Sequence, residues 1–252
     1  MGGLQTIFFV ADSLLDRPLK GRKVLEVGAA GSPLGRLVTM WGAEYVGSDI
    51  AKAKEVSVIC DVANLTKQFG TGKFDVVLCM DTMEHVADWR TAATQLKLML
   101  AEGGDLIVAA PSKGFPFHGW PSDYWRYSEA DMKEIFGDLK VVETFYMAAD
   151  AECGIHCMRK AGEFSPKDLS GIALYSIRNG HRSREVPRGA RAAVSTLFQK
   201  GYCKFRQFFD YQVWKIGAFM AGGRGRGKEG AIRVSTEEGP GPQGASSGEV
   251  KP

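Results

Sequence analysis

The chain has 252 residues, 44% hydrophobic and 24% charged, which fits one large soluble domain, or one domain with an extension. Its five cysteines, Cys60, Cys79, Cys153, Cys157 and Cys203, contain no CxxC pair or His/Cys metal spacing. That excludes a disulfide scaffold and a cysteine metal centre, and predicts reduced thiols and no bound metal. No uncharged apolar run reaches the ~20 residues of a membrane span. The N-terminus lacks the basic start of a secretory leader, so a cytoplasmic location is expected.

The net charge of +3 is unevenly spread. Residues 1–152 carry 15 Lys+Arg against 21 Asp+Glu, whereas residues 153–228 carry 15 against 4. An acidic body thus precedes a basic extension. The Gly-, Pro- and Ser-rich tail has almost nothing to bury, and disorder is expected there. The boundaries read from the sequence are a body over 1–160, a basic and largely helical extension over 161–221, and a tail over 222–252.

In chain order, "KVLEVG" reads as a buried strand running into a Gly turn. "SPLGRLVTMWG" follows as a helix, with Ser32 as N-cap, Pro33 in the first position and Gly42 at the exit. "EYVGSDI" and "VSVICDV" are strands ending near Asp49 and Asp61. "FDVVLCMD" is the fourth strand, and Asp88 can cap the helix "WRTAATQLKLML". "GDLIVAAP" is the fifth. Ser128 opens the helix "SEADMKEIFG" through an S-x-x-D capping arrangement. "KVVETFYMAA" and "GIHCMRKA" have no helix between them and should pair antiparallel. The fold class is therefore α/β, a mostly parallel sheet of seven strands covered by helices on both faces, with an antiparallel hairpin at its C-terminal end.

Such sheets bind ligands outside the carboxyl ends of their strands, where strand order reverses. Carboxylates collect there: Glu26 near the end of strand one, Asp49 after two, Asp61 after three, Asp81 and Glu84 after four. An acidic edge beside a Gly turn disfavours a polyphosphate and suits a cationic ligand carrying sugar hydroxyls. A dinucleotide fingerprint counted from Gly28 would need glycine at Ala30 and Pro33, so it fails.

Taken together, "VLEVGAAGS", "YVGSDI", "CDVANL", "FDVVLCMDTMEHV" and "GGDLIVAAPS" resemble the class I S-adenosylmethionine-dependent methyltransferases, in order and spacing, over residues 20–160. The resemblance implies a Rossmann-like fold and S-adenosylmethionine as cofactor. Gly28 would back its methionine portion, with Glu26 in the same pocket. Asp49 would accept from the ribose hydroxyls and Asp61 would meet the adenine amine. Ala30, Gly31, Ile50, Val62 and Asp81 complete the expected cofactor site. Sequences of this kind usually have glycine where Ala30 and Ser32 stand. Ala30 is small enough provided that its φ stays negative, and Ser32 serves as the helix cap.

Methyl transfer from a sulfonium needs an aligned nucleophile, exclusion of water and, for a hydroxyl or ammonium, a proton acceptor. Among four histidines, His85 in "MEHV" and His118 are the candidates for a catalytic role. The segment "PSKGFPFHGWPSDYWRY", Pro111 to Tyr127, is the expected substrate loop, with Trp120, Asp123, Tyr124 and Arg126 as substrate-binding candidates. The alternative is that its aromatics fold the loop onto the sheet while Arg126 and Asp123 pair internally.

Beyond the body, Phe198, Tyr202, Phe205, Phe209, Val213, Ile216 and Met220 recur at helical period. This stripe over 190–220 can pack on the body or on a second subunit, lie peripherally on an anionic membrane, or, third, accompany nucleic-acid contact. The expected activity is methyl transfer to an O or N nucleophile of a small molecule, glycan or lipid-linked intermediate. An RNA or protein methyltransferase using the basic extension, and a non-catalytic scaffold of the same fold, stand as alternatives.

Overall fold

The computed structural model describes residues 4–118, 122–147 and 151–188. The expected 190–220 helix, Cys203 and the tail lie outside these residues, as does Trp120.

Helix α1 (Leu4–Leu14) precedes strand β1 (Lys23–Val27), which leads through a turn into α2 (Leu34–Met40) and β2 (Glu44–Asp49). β3 (Val58–Ile59), α3 (Leu65–Phe69), β4 (Phe74–Met80) and α4 (Trp89–Met99) follow, and α4 runs directly into β5 (Leu100–Pro111). β6 (Trp125–Arg126) ends the long loop after β5. It is followed by α5 (Glu129–Phe136), β7 (Lys140–Met147) and β8 (Glu152–Met158). Two short strands close the described chain, β9 (Leu174–Ser176) and β10 (His181–Ser183).

Seven strands form one sheet in the order β3-β2-β1-β4-β5-β8-β7. The pairs among β1 to β5 are parallel, and β8 runs antiparallel to both β5 and β7. This is the expected fold. The chain travels outward from β1 to β3 and then returns to β4, so strand order reverses between β1 and β4. That reversal opens the ligand crevice between their carboxyl ends.

Both faces of the sheet are buried, and the alternation along each strand shows which face is which. Leu25, Val27, Val77, Cys79, Leu106, Val108 and Ala110 share one core with α4 and α5 residues. Val24, Val76, Leu78, Met80, Ile107 and Ala109 share the other with α1 and α2. A slip of one residue would exchange the two sets, so the register is fixed from both sides. Each fully buried Leu, Ile or Val contributes about 1.5–3 kcal/mol, which makes such a slip prohibitive.

The caps follow local chemistry. Asp88 accepts from Thr91 N (3.1 Å), and Ser128 and Asp131 form a reciprocal capping box. α2 starts one residue later than expected, with Pro33 rather than Ser32 in the N-cap position, and Ser32 Oγ accepts from Leu34 N at 3.2 Å from just outside the helix. Two other regions differ from expectation. α1 has no counterpart in the reading above, although Thr6, Phe9, Val10, Ser13 and Leu14 form a buried helical stripe. β5 also starts four residues early, at Leu100, because Gly103 (φ +70°) lets the chain bulge out and rejoin β4 at Asp105.

Residues 164–186, assigned above to the extension, contribute Leu169, Ile172 and Leu174 to the larger core. β10, β9 and β6 form a separate antiparallel sheet. Arg90 on α4 ties this segment down by donating to the carbonyls of Leu169, Ile172 and Arg184.

Candidate functional site

The turn after β1 holds the first half of the site. Gly28 has φ +83° and Gly31 φ +75°, left-handed values that side chains resist. At Gly28 a Cβ would also overlap Thr82 Oγ1, so the turn is pressed against the segment following β4. Only Asp81 and Ala151 among the described non-glycine residues have positive φ. Ala30 therefore sits in ordinary backbone that alanine adopts without strain.

Carboxylates fasten this turn from the neighbouring strand. Asp49 Oδ2 accepts from Ala30 N (3.1 Å) and Oδ1 from Ala51 N (2.8 Å), while Glu55 accepts from Gly31 N (3.2 Å). Each Asp49 oxygen retains a second acceptor site for a ligand hydroxyl. Glu26 lies at the floor, 1% exposed, and accepts from Tyr45 Oη at 2.6 Å. Burial raises its pKa against the opposing hydrogen bonds of Ser32 and Tyr45. Thr6, Ile7, Glu26, Gly28, Ala30, Gly31, Ser32 and Asp81 line the resulting cleft.

The outer part of the expected cofactor site is more mixed. Ile50 is 73% exposed beside Asp49. Asp61 is exposed and accepts from Ala63 N at 2.8 Å. Val62 is buried in the larger core, so its side chain is withdrawn and only its backbone remains to meet a ligand. Asp81 has φ +47°, and its Oδ1 is buried without a hydrogen-bond partner. Burial, with Glu84 and Glu152 nearby, pushes its carboxyl up to about 7. A left-handed, under-bonded acid at a strand's carboxyl end is a mark of function rather than stability.

The second half of the site is a cluster beyond β4. A short 3-10 turn, Met83–His85, buries Glu84 completely. Neither Glu84 oxygen has a hydrogen-bond partner. His85 Nε2 and His118 Nε2 each stand 3.5 Å from Glu84 Oε1, and the two rings are 4.9 Å apart. His85 Nδ1 lies 2.9 Å from Ser122 O, and His118 Nδ1 lies 3.2 Å from Asp123 Oδ2. Burial alone would lower the His118 pKa, but Asp123 and Glu84 outweigh it and raise it to about 9. The two histidines nominated from sequence thus meet, although they are 33 positions apart in the chain.

The substrate-loop candidates separate. Asp123 and Arg126 are buried at 0% and 1% exposure. Arg126 donates to both Asp123 oxygens (2.6 and 2.9 Å) and to the carbonyls of Phe115, Pro116 and Trp125. A guanidinium so satisfied has no donor left for a substrate, so these two shape the loop and are not contact residues. Asp123 is held down at about 2 by Arg126 and His118, against its burial. Phe117, Trp125 and Tyr127 are core residues. Tyr124 is half-buried beneath Arg178, 4.4 Å from its ring centroid. His156 is remote from the cleft. It bonds Asp105, where β5 rejoins β4 after the bulge, toward the opposite edge of the sheet.

The sequence reading missed Thr6, Ile7, Glu55 and the unpaired state of Glu84. The α1 stripe could have disclosed the first two. The others depend on strand register and loop closure, which spacing does not carry.

Residues 9–146 match the family described as methyltransferase domain, more than half of the chain. A ubiquinone biosynthesis O-methyltransferase of Rhizobium etli is 35% identical over 113 residues, 40% of this chain and 46% of that protein. The Cereibacter sphaeroides protein of the same name is 32% identical over 104 residues, 36% of this chain and 42% of its own length. The chain therefore matches about half the length of these curated relatives. Among solved structures, a SAM-dependent methyltransferase from Archaeoglobus fulgidus aligns with TM-score 0.51 at 12% identity, covering 63% of this chain and 95% of that one. That likeness speaks for the fold alone. With the family match spanning the turn, the carboxylate edge and the β4 cluster, the chain belongs to the methyltransferase-domain family.

Proposed function

We propose that the protein transfers a methyl group from S-adenosylmethionine to an oxygen or nitrogen of a small molecule, with glycan and lipid-linked acceptors in the same class. The observation that carries this reading is the Gly28–Gly31 turn, fastened by Asp49 over a buried Glu26 at the β1/β4 switch point. The O-methyltransferase relatives support oxygen as the acceptor atom.

The residues suit a cationic sulfur nucleoside. The Gly31 position is open, with nothing within 4 Å of where a Cβ would stand, so a ligand can approach the backbone. Asp49 offers its remaining acceptor sites to ribose hydroxyls. Exposed Ile50 offers an apolar surface to a base, and Asp61 an acceptor beside it. Glu26 and Asp81 are acids along the cleft, and a bound ammonium and sulfonium would favour their charged forms. When bound, the cofactor supplies an activated methyl. Its bond to sulfur breaks with the electron pair staying on sulfur, a bond to the acceptor forms, and the acceptor's proton leaves. The protein's share is to align the acceptor, exclude water and receive or release that proton. Thr6 and Ile7 of α1 form one wall of the cleft, and His85 and His118 are the candidates for receiving the proton.

Calorimetric titration of the purified protein with S-adenosylmethionine tests the cofactor. Binding is expected, and none at millimolar ligand would sink the reading. Asp49→Ala should weaken binding by about 2–3 kcal/mol, with the far-UV spectrum unchanged. Labelled methyl donor incubated with fractionated extracts then reports the acceptor class. Label confined to RNA or protein would replace the small-molecule assignment.

A further inference from the structure

Glu84 is a buried carboxylate whose nearest polar neighbours are two histidines. Its carboxylate is fully buried and neither oxygen accepts a hydrogen bond from the described residues. An uncompensated buried carboxylate costs several kcal/mol. The groups nearest to it are the two imidazole Nε2 atoms, each 3.5 Å from Oε1.

Those nitrogens are oriented from behind. His85 Nδ1 lies 2.9 Å from the Ser122 carbonyl, which can only accept, so Nδ1 carries the hydrogen. His118 Nδ1 lies 3.2 Å from Asp123 Oδ2, off the ideal hydrogen-bond direction. Asp123 is in turn locked by Arg126 and by the His118 amide, which donates to it at 2.7 Å. When neutral, His85 therefore turns its Nε2 lone pair toward the Glu84 carboxylate, and His118 turns its Nε2 to the same oxygen. Three potential ligand atoms converge within 4.8 Å of one another.

A proton is the smaller candidate, but it fits the distances poorly. An imidazolium–carboxylate bond draws its atoms to about 2.7–2.9 Å, well inside the 3.5 Å seen in both pairs. Two ligands at about 2.0–2.1 Å on a tetrahedral zinc ion stand about 3.3 Å apart. The two Glu84–histidine distances are close to that value, and the histidines would draw together to complete the set. Two histidines and one glutamate are also a ligand set of catalytic zinc, with a position left for substrate. Oxygen partners behind each ring are the usual support of metal-bound histidines.

We propose that Glu84, His85 and His118 form a three-ligand site for a divalent transition metal ion of the zinc class, with its open position facing the acceptor. The ion's role rests on the methyl-transfer reading; its binding does not. Bound there, an acceptor hydroxyl would lose its proton to solvent more readily and present its oxygen to the methyl group. His85 and His118 would then act as ligands rather than as free bases.

The test uses the full-length protein freed of metal by dialysis against a chelator. It is titrated with Zn²⁺ by calorimetry and with Co²⁺ by visible absorption, alongside a separate titration with S-adenosylhomocysteine. One equivalent of Zn²⁺ and ligand-field bands of Co²⁺ are expected. His118→Ala and Glu84→Gln should each weaken Zn²⁺ binding by at least about tenfold to a hundredfold, with the far-UV spectrum retained. If Glu84→Gln fails to fold, His118→Ala, in the half-exposed loop, decides alone. Wild-type protein that binds no Zn²⁺, or variants that bind it as tightly as wild type, would overturn the site. Zinc binding without nucleoside binding would leave the site standing and sink the methyl-transfer reading; nucleoside binding without zinc would do the reverse.

Discussion

At the scale of single residues, Gly28 and Thr82 form the tightest constraint. Gly28→Ala places a side chain in a left-handed backbone and against Thr82 Oγ1. It should destabilise the protein by about 1–3 kcal/mol and weaken binding of S-adenosylmethionine, read by urea unfolding and calorimetry. A variant with wild-type stability would show that the turn can move aside. This glycine was legible in the sequence, because a strand followed by a Gly turn implies it. Its partner was not, since Thr82 lies 54 positions on and meets it only through the β1–β4 pairing. Asp123 and Arg126 make the same point in reverse. Their types and spacing suit substrate recognition as well as internal pairing, and burial alone decides between the two.

At the scale of elements, strands and caps were readable because their signals are local. Short continuous apolar runs, Asp88 before an amphipathic run and the Ser128–Asp131 box each specify structure within a few residues. α1 escaped because its polar positions, Thr6 and Ser13, lie on the buried side: Ser13 donates to Glu143 and Thr6 to Glu152. The small β6–β9–β10 sheet escaped because strands of two or three residues have no periodicity to read. Arg90 tests how that sheet is held. Removing its three bonds to the carbonyls of 169, 172 and 184 by Arg90→Ala should speed amide exchange and proteolysis across 165–188, leaving β1 and β4 protected. Unchanged exchange there would mean that Leu169, Ile172 and Leu174 suffice.

At the scale of the whole molecule, charge is divided between the two edges of the sheet. The carboxyl edge carries under-bonded acids, whereas Asp105, where β5 rejoins β4 after the bulge, is saturated by Arg17 (2.6 Å), Arg22 (3.0 Å) and His156 (3.0 Å). Burial opposes its charge, but hydrogen bonds from His156 and Arg22, with Arg17 beside them, hold its pKa below the ordinary value. A depressed folded pKa means that the stabilisation is complete above the unfolded value of about 3.9 and is lost as pH falls through the folded one. Asp105→Asn should therefore cost about 2–3 kcal/mol at neutral pH, moderated because the arginines reach solvent. That gap should shrink below about pH 4 in urea unfolding. Cofactor affinity should not change, because this hub lies far from the crevice.

The abutment of Gly28 on Thr82 has a mechanical corollary. Thr82 is the last residue before the turn that presents Glu84 and His85, so the glycine bend and the Glu84–His85 turn abut at one joint. On the methyl-transfer reading proposed above, that joint would keep the two halves of the crevice in register with each other.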